Sequence, residues 1–296
     1  MTTIKLSAIY HYITSNIEYI VFFILVIILI YLISKRNWEG FFSEQHGINR
    51  LDAIIYINLE NRQDRKDLLF KELESLNTNM SKVHKVSGVY MPKNGHKGCI
   101  QSHIIALNMI KLNKGRWKRV LILEDDAQLD TDPETTNNII DTTLDTLDKH
   151  NPNWHVIMLA TANKIINNTT TNKKSNNNKS NNKSNNKSNN SNNTNKSIAL
   201  EIYAPDGTLK PVKLEKLTRA TTSSAYIVKD TYVDEILNLF DNCNNNMKHD
   251  KMSGDGYEFW ALDQKWESLQ EKDNWYALDP DPIKQRDIWS TTQTGV

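Results

Sequence analysis

Apolar and polar positions alternate along the chain in segments of two kinds. Short unbroken apolar runs bounded by polar residues read as buried strands. "DAIIYINL" (52–59), with its core at Ala53 to Ile57, is the first, and "VHKVSGVY" (83–90), "RVLILEDD" (119–126) and "WHVIMLA" (154–160) follow. Longer stretches with apolar residues at helical spacing lie between them. "ENRQDRKDLLFKELESL" places Leu69, Leu73 and Leu76 on one face, and "KGCIQSHIIALNMIKL" places Cys99, His103, Leu107 and Ile110 on another. "IALEIY" and "SSAYIV" read as later strands. "DTYVDEILNLF" reads as a helix with a stripe of Val233, Ile236, Leu237 and Phe240. The proline-punctuated tail, "NWYALDPDPIKQRDIWS", reads as an extended strand with loops. Strands alternating with amphipathic helices predict an α/β fold with mainly parallel strands.

Two segments break this pattern. Residues 19–33, "YIVFFILVIILIYLI", are apolar throughout, and with their flanks approach the roughly 20 residues that span a bilayer. They lack the polar face of a core helix and the small-residue cleavage site of a signal peptide. Residues 17–34 are therefore expected to be a transmembrane anchor of a single-pass membrane protein, after an N-terminal tail at 1–16 and before a stalk at 35–50. Lys35 and Arg36 after the run favour a cytosolic C-terminal bulk by the positive-inside rule, on a margin of one or two charges. The side is left open. Residues 163–197 are dominated by Asn, Lys and Ser and hold few apolar residues, so they predict a disordered surface insertion. A basic nucleic-acid arm is the alternative, but arginine and stacking aromatics are missing.

Lys+Arg 36 balances Asp+Glu 35, and no nucleic-acid partner is expected. Discounting the lysine-rich insertion leaves the rest mildly acidic. Two cysteines, Cys99 and Cys243, give no zinc-like spacing. The sequon at Asn79 and those in the insertion would matter only in a lumen. The Asn- and Lys-rich runs suggest an AT-rich genome, such as that of a large DNA virus or a protist.

The candidate chemistry centres on "VLILEDDAQL". In open α/β sheets, ligands bind beyond the carboxyl ends of the strands, where Glu124, Asp125 and Asp126 would sit. Adjacent carboxylates repel unless a cation compensates them, and hard oxygens suit Mg²⁺ or Mn²⁺. The plain alternative is one helix-capping acid beside a solvated one. A receiver domain would place such a pair at its first strand, whereas here it lies deep in the domain. An ATPase would need a Gly-rich loop ending in Gly-Lys-Ser/Thr, and "KNGHKGCIQS" does not supply it. A cation-assisted nucleotide-sugar transferase survives. Asn58, Arg62 and Arg65 in "INLENRQDR" follow the first strand, where arginines suit a diphosphate; they also fit solvated helix charge. Gly98, Ser102 and His103 lie near a helix start, and His103 equally fits a core histidine.

Taken in order, "YINLENRQDR", "KGCIQSH", "VLILEDDAQL", "SSAYIV", "ALDQKW" and "PDPIKQRDIWS" resemble glycosyltransferase family 25, the lipooligosaccharide and procollagen galactosyltransferase-like group. The resemblance covers roughly residues 51–290 apart from the insertion. It implies a GT-A-like, Rossmann-like mixed sheet flanked by helices. It also implies a nucleoside-diphosphate sugar donor (a UDP-sugar), Mn²⁺ (or Mg²⁺) dependence, and inverting transfer of a hexose, galactose or glucose, to a glycan or protein hydroxyl. On this reading Glu124, Asp125 and Asp126 are the metal residues, with Asp125 and Asp126 as the ligands proper and Glu124 orienting or structural. Asn58, Arg62, Arg65, Ser102, His103 and Gln285 serve the donor, and Asp287 helps to close the site. Asp263 is the candidate base, although it also fits a surface acid of a helix. The insertion and the anchor depart from the family pattern. A catalytically degenerate, membrane-tethered binding module is the alternative function.

Overall fold

The computed structural model describes residues 21–28, 31, 46–166, 197–247 and 258–287. The chain divides into two compact units, 1–46 and 47–296. In the first, residues 21–28 and 31 are helical, and Phe22 and Phe23 are exposed. No helix among the described residues is long and apolar enough to cross a membrane. The expectation of a single-pass membrane protein is corrected on that finding; the rest of 17–34 lies outside the described residues.

The second unit begins earlier than the expected stalk boundary. Residues 47–50 form a 3-10 helix in which Ile48 and Asn49 are buried. Asp141 Oδ1 accepts the Gly47 N–H at 2.8 Å and pairs with Arg50 at 3.2 Å. The strands are β1 (Ala53–Asn58), β2 (Val83–Ser87), β3 (Arg119–Glu124), β4 (Ala127–Leu129), β5 (Val156–Met158), β6 (Ala162–Ile166), β7 (Ile198–Tyr203), β8 (Leu209–Thr221), β9 (Ala225–Lys229), β10 (Trp275–Asp279) and β11 (Ile283–Gln285). The helices are α1 (Gln63–Ser75), α2 (Gly95–Leu112), α3 (Pro133–His150), α4 (Val233–Asn246), α5 (Leu262–Lys265) and α6 (Glu267–Lys272).

The fold is a mixed α/β fold. A nine-stranded sheet runs β2-β1-β3-β9-β5-β10-β8-β6, with β7 on β8, and β4 pairs with β11 separately. Among the described strands only β1 with β2, β1 with β3, and β5 with β10 are parallel. The expectation of mainly parallel strands is therefore corrected. β9 runs antiparallel to both β3 and β5, and β8 is antiparallel to each of its neighbours. A strand buried on both faces is apolar throughout in either direction, so its composition does not report its polarity.

That double burial explains the unbroken runs. Ile55 and Ile57 of β1 pack on one face with Ile100 and Leu107 of α2 and Phe240 of α4. Ile54 and Tyr56 face the opposite way, with Leu69 of α1 and Ile140 and Leu144 of α3. The expected insertion is also narrower at its start. Ala162–Ile166 is strand β6, held to β8. Residues 167–196, where disorder was expected, lie outside the described residues.

Candidate functional site

The carboxyl ends of the parallel strands β1 and β3 lie side by side, and β9, running the other way, begins beside them. Asn58, Glu124 and Ser223 therefore converge at one edge of the sheet. They open on a cavity of about 230 Å³. Nine of the expected site residues line it: Asn58, Arg65, Ser102, His103, Glu124, Asp125, Asp126, Asp263 and Gln285. Two do not. Arg62 turns to Asp64, with Nη2 to Oδ2 at 2.9 Å, and Asp287 is exposed outside the cavity lining.

The three acids follow β3 directly, yet each has its own partners. Asp125 is 7% exposed; its Oδ2 accepts from Asn58 Nδ2 at 2.9 Å and its Oδ1 from Arg65 Nη1 at 3.0 Å. Asn58 also donates to the Arg62 carbonyl at 2.9 Å, locking the β1–α1 turn that delivers Arg65. Asp126 is 4% exposed; its Oδ2 accepts from Gln285 Nε2 at 3.2 Å and lies 3.7 Å from Arg65. The β4–β11 pair brings Gln285 there, and the Arg286 N–H bonds to the Asp126 carbonyl at 2.7 Å. Asp126 Oδ1 is buried with no hydrogen-bond partner among the described residues. An unpartnered, hard carboxylate oxygen on a residue that lines the cavity fits a divalent cation.

Glu124 faces the other neighbour, α2. Its Oε1 lies 3.3 Å from His103 Nε2 and accepts from the Ser223 hydroxyl. His103 is fully buried, and its Nδ1 lies 3.0 Å from Tyr226 Oη. Cys99, one helical turn before His103, brings its sulfur into the same group: donor atoms of Cys99, His103 and Glu124 lie within 4.8 Å of one another.

These surroundings set the acidities. Burial pushes Asp126 up to about 7, and the neighbouring Glu124 charge adds to it. Burial also raises Asp125 against the pull of Asn58 and Arg65. In Glu124 burial acts upward, but hydrogen bonds from His103 and Ser223 outweigh it and hold the carboxyl below its ordinary value. Burial raises Asp263, although the Thr222 N–H, donating to Oδ2 at 3.2 Å, opposes it.

Ser102 has a scaffolding role. Its hydroxyl donates to the Gly98 carbonyl at 2.7 Å and accepts the Val89 N–H at 2.8 Å, clamping the loop after β2 onto α2. A Cβ on Gly98 would sit 2.4 Å from the Val89 carbonyl oxygen. Gly98→Ala is therefore expected to cost about 1–3 kcal/mol of stability, read by thermal denaturation, because backbone must move. An unchanged midpoint would show that the loop yields freely.

Thr222, Ser223, Tyr226 and Cys99 escaped the sequence reading as site residues. Thr222 holds φ +73°, rare for a β-branched residue, so strain is stored beside Asp263. Sequence carries no mark of that conformation. Cys99 had a signal in its i, i+4 spacing with His103.

No family model matches the chain, and no curated protein matches it. Among solved structures the chain is similar to the crystal structure of mannose-1-phosphate geranyltransferase from Thermus thermophilus. The identity is 9% and the TM-score 0.34, over 81% of this chain and 76% of that one. A likeness that remote carries no argument about activity.

Proposed function

We propose that the chain is a glycosyltransferase of the family 25 type, with a GT-A-like fold, moving a hexose from a nucleoside-diphosphate sugar to a glycan or protein hydroxyl. The observation that carries this reading is the buried, unpartnered Asp126 Oδ1 beside Arg65, at the carboxyl ends of β1 and β3. Asp126 would hold Mn²⁺ or Mg²⁺, which when bound neutralises charge on the departing nucleoside diphosphate. Asn58 and Arg65 fix Asp125 as the adjoining carboxylate. Arg65 also supplies a guanidinium to a donor phosphate. Asp263 is the candidate base for the acceptor hydroxyl, because burial raises its pKa and so makes its carboxylate a stronger base than an ordinary aspartate.

The test is a screen of UDP-sugars with the full chain and mass analysis of acceptors, with Mn²⁺ and with a chelator. Turnover is expected only with the cation, and Asp126→Ala is expected to raise the half-saturating Mn²⁺ concentration by at least about tenfold. Binding of the donor without turnover, unchanged by Asp126→Ala, would replace the enzyme with a binding module.

The acidity of Asp126 makes a further prediction. Cation binding must displace its proton below pH 7, so Mn²⁺ affinity should fall about tenfold per pH unit below that point and level off above it. Calorimetry in buffers of different ionisation enthalpy would count the proton released. Affinity flat from pH 5 to 8 would remove Asp126 from the ligand set.

A further inference from the structure

We propose that Cys99, His103 and Glu124 form a second metal site on the wall of the same cavity, selective for a divalent transition metal of intermediate softness such as zinc. The assignment does not depend on sugar transfer. It moves Glu124 out of the oxygen-ligand set of Asp126 and gives it a different ion.

Topology makes the cluster. Cys99 and His103 are four residues apart on α2, so their side chains stack on one face, and the end of β3 presents Glu124 to that face. The three donor atoms lie within 4.8 Å of one another, so small side-chain adjustments would bring them around one ion. The separation of His103 Nε2 from Glu124 Oε1 is informative. At 3.3 Å it is long for a hydrogen bond between an imidazole and a carboxylate. Nitrogen and oxygen ligands about 2.0–2.2 Å from a tetrahedral ion would stand about 3.3 Å apart.

The surroundings orient His103 and Glu124 for coordination, while burial and the nearby carboxylates raise the Cys99 thiol, so the ion itself must drive off its proton. His103 Nδ1 has Tyr226 Oη at 3.0 Å, a partner that can accept an Nδ1–H and leave Nε2 free to coordinate. Without an ion the ring proton can instead sit on Nε2 toward Glu124, with Tyr226 donating to Nδ1. Binding therefore shifts the imidazole proton from Nε2 to Nδ1, and the Cys99 thiol loses its proton to solvent, one per ion. Ser223 donates to Glu124 and fixes its orientation. Cys99 is a free, half-buried cysteine, and all three residues line the cavity, leaving a fourth position on the open side. Thiolate with imidazole selects against Mg²⁺ and Ca²⁺, so hard and intermediate cations would sort between the two positions.

The experiment is titration of the chelator-stripped full chain with Co²⁺, read by absorption. The expected result is a near-ultraviolet sulfur-to-cobalt charge-transfer band that saturates at one equivalent. Cys99→Ser should abolish it, Cys243→Ser and Asp126→Ala should keep it, and His103→Gln should weaken Co²⁺ binding by at least about tenfold. If Cys99→Ser does not fold by circular dichroism, the His103→Gln affinity decides. No band in the unaltered protein, a band that survives in folded Cys99→Ser, or His103→Gln binding at unaltered affinity overturns the proposal. Loss of the band in folded Asp126→Ala would merge the two positions and overturn it equally. Failure of the UDP-sugar screen alone would touch only the transferase reading.

Discussion

Replacing Arg65 with methionine should destabilise the cation-free protein by about 3–5 kcal/mol, the cost of leaving buried charge without its partner. Arg65 is 5% exposed and lies 3.0 Å from Asp125 and 3.7 Å from Asp126. Asn58 and Gln285 would still donate to these acids, but neutral amides cannot offset the buried charge of Asp125, joined by that of Asp126 where the pH is high enough to ionise it. Three consequences separate this from a simple packing loss. Mn²⁺ should restore part of the stability, since a cation at Asp126 supplies the missing charge. Adding Asp125→Asn should restore more, because the uncompensated carboxylate is gone. The deficit should also shrink on acidification, because Asp126 takes up its proton as pH falls through about 7. The sign is opposite to that of an ordinary salt-bridged aspartate. Its folded value lies above the ordinary 3.8, so its contribution is full below about pH 4 and is lost as pH rises through about 7. Urea unfolding with an unchanged m-value would measure all of this. A loss under about 1 kcal/mol would mean that water reaches the pair and screens it.

The same residues show how far the sequence could be read. β1 and β3 were legible because both faces of each are buried, and the acids were legible because they interrupt such a run. Their division of labour was not. Asp125 and Asp126 are adjacent, yet one is held by Asn58 and Arg65 and the other by Gln285 from the far end of the chain. Contacts at that separation follow from topology, which local pattern does not encode. Two elements were missed despite usable signals. α3 has Ile139, Ile140, Leu144 and Leu147 buried at helical spacing, and Asp132 caps it by accepting the Thr135 N–H at 2.9 Å. Its many Thr and Asn residues, poor helix formers, hid the period. β8 buries Val212 and Leu214 on one face, with exposed Lys213 between them, and Leu217 on the other, a short signal masked by the neighbouring polar segment. The apolar run at 19–33 shows the reverse error, since composition suited a span that no described helix provides.

Asp263→Asn is the most discriminating change for the transferase reading. The amide keeps the size of the side chain and an oxygen to accept the Thr222 N–H, so the strained turn at φ +73° can persist. What it lacks is a lone pair basic enough to take the acceptor proton. kcat should fall about 10²–10⁴-fold, the usual worth of a general base, while donor affinity and Mn²⁺ dependence stay near the unaltered values. The pH profile carries a second signature. Burial, reinforced by Glu124, holds Asp263 above the ordinary aspartate value. Activity of the unaltered protein should therefore rise with pH through an acid limb displaced upward from that value, and the limb should vanish in the variant. Steady-state kinetics across pH, with calorimetry of donor binding, separates the cases. A variant within about threefold of the unaltered kcat would dismiss Asp263 as base. A variant that loses donor affinity as well would make it a binding group, and the proton would then have to leave through another carboxylate of the cavity.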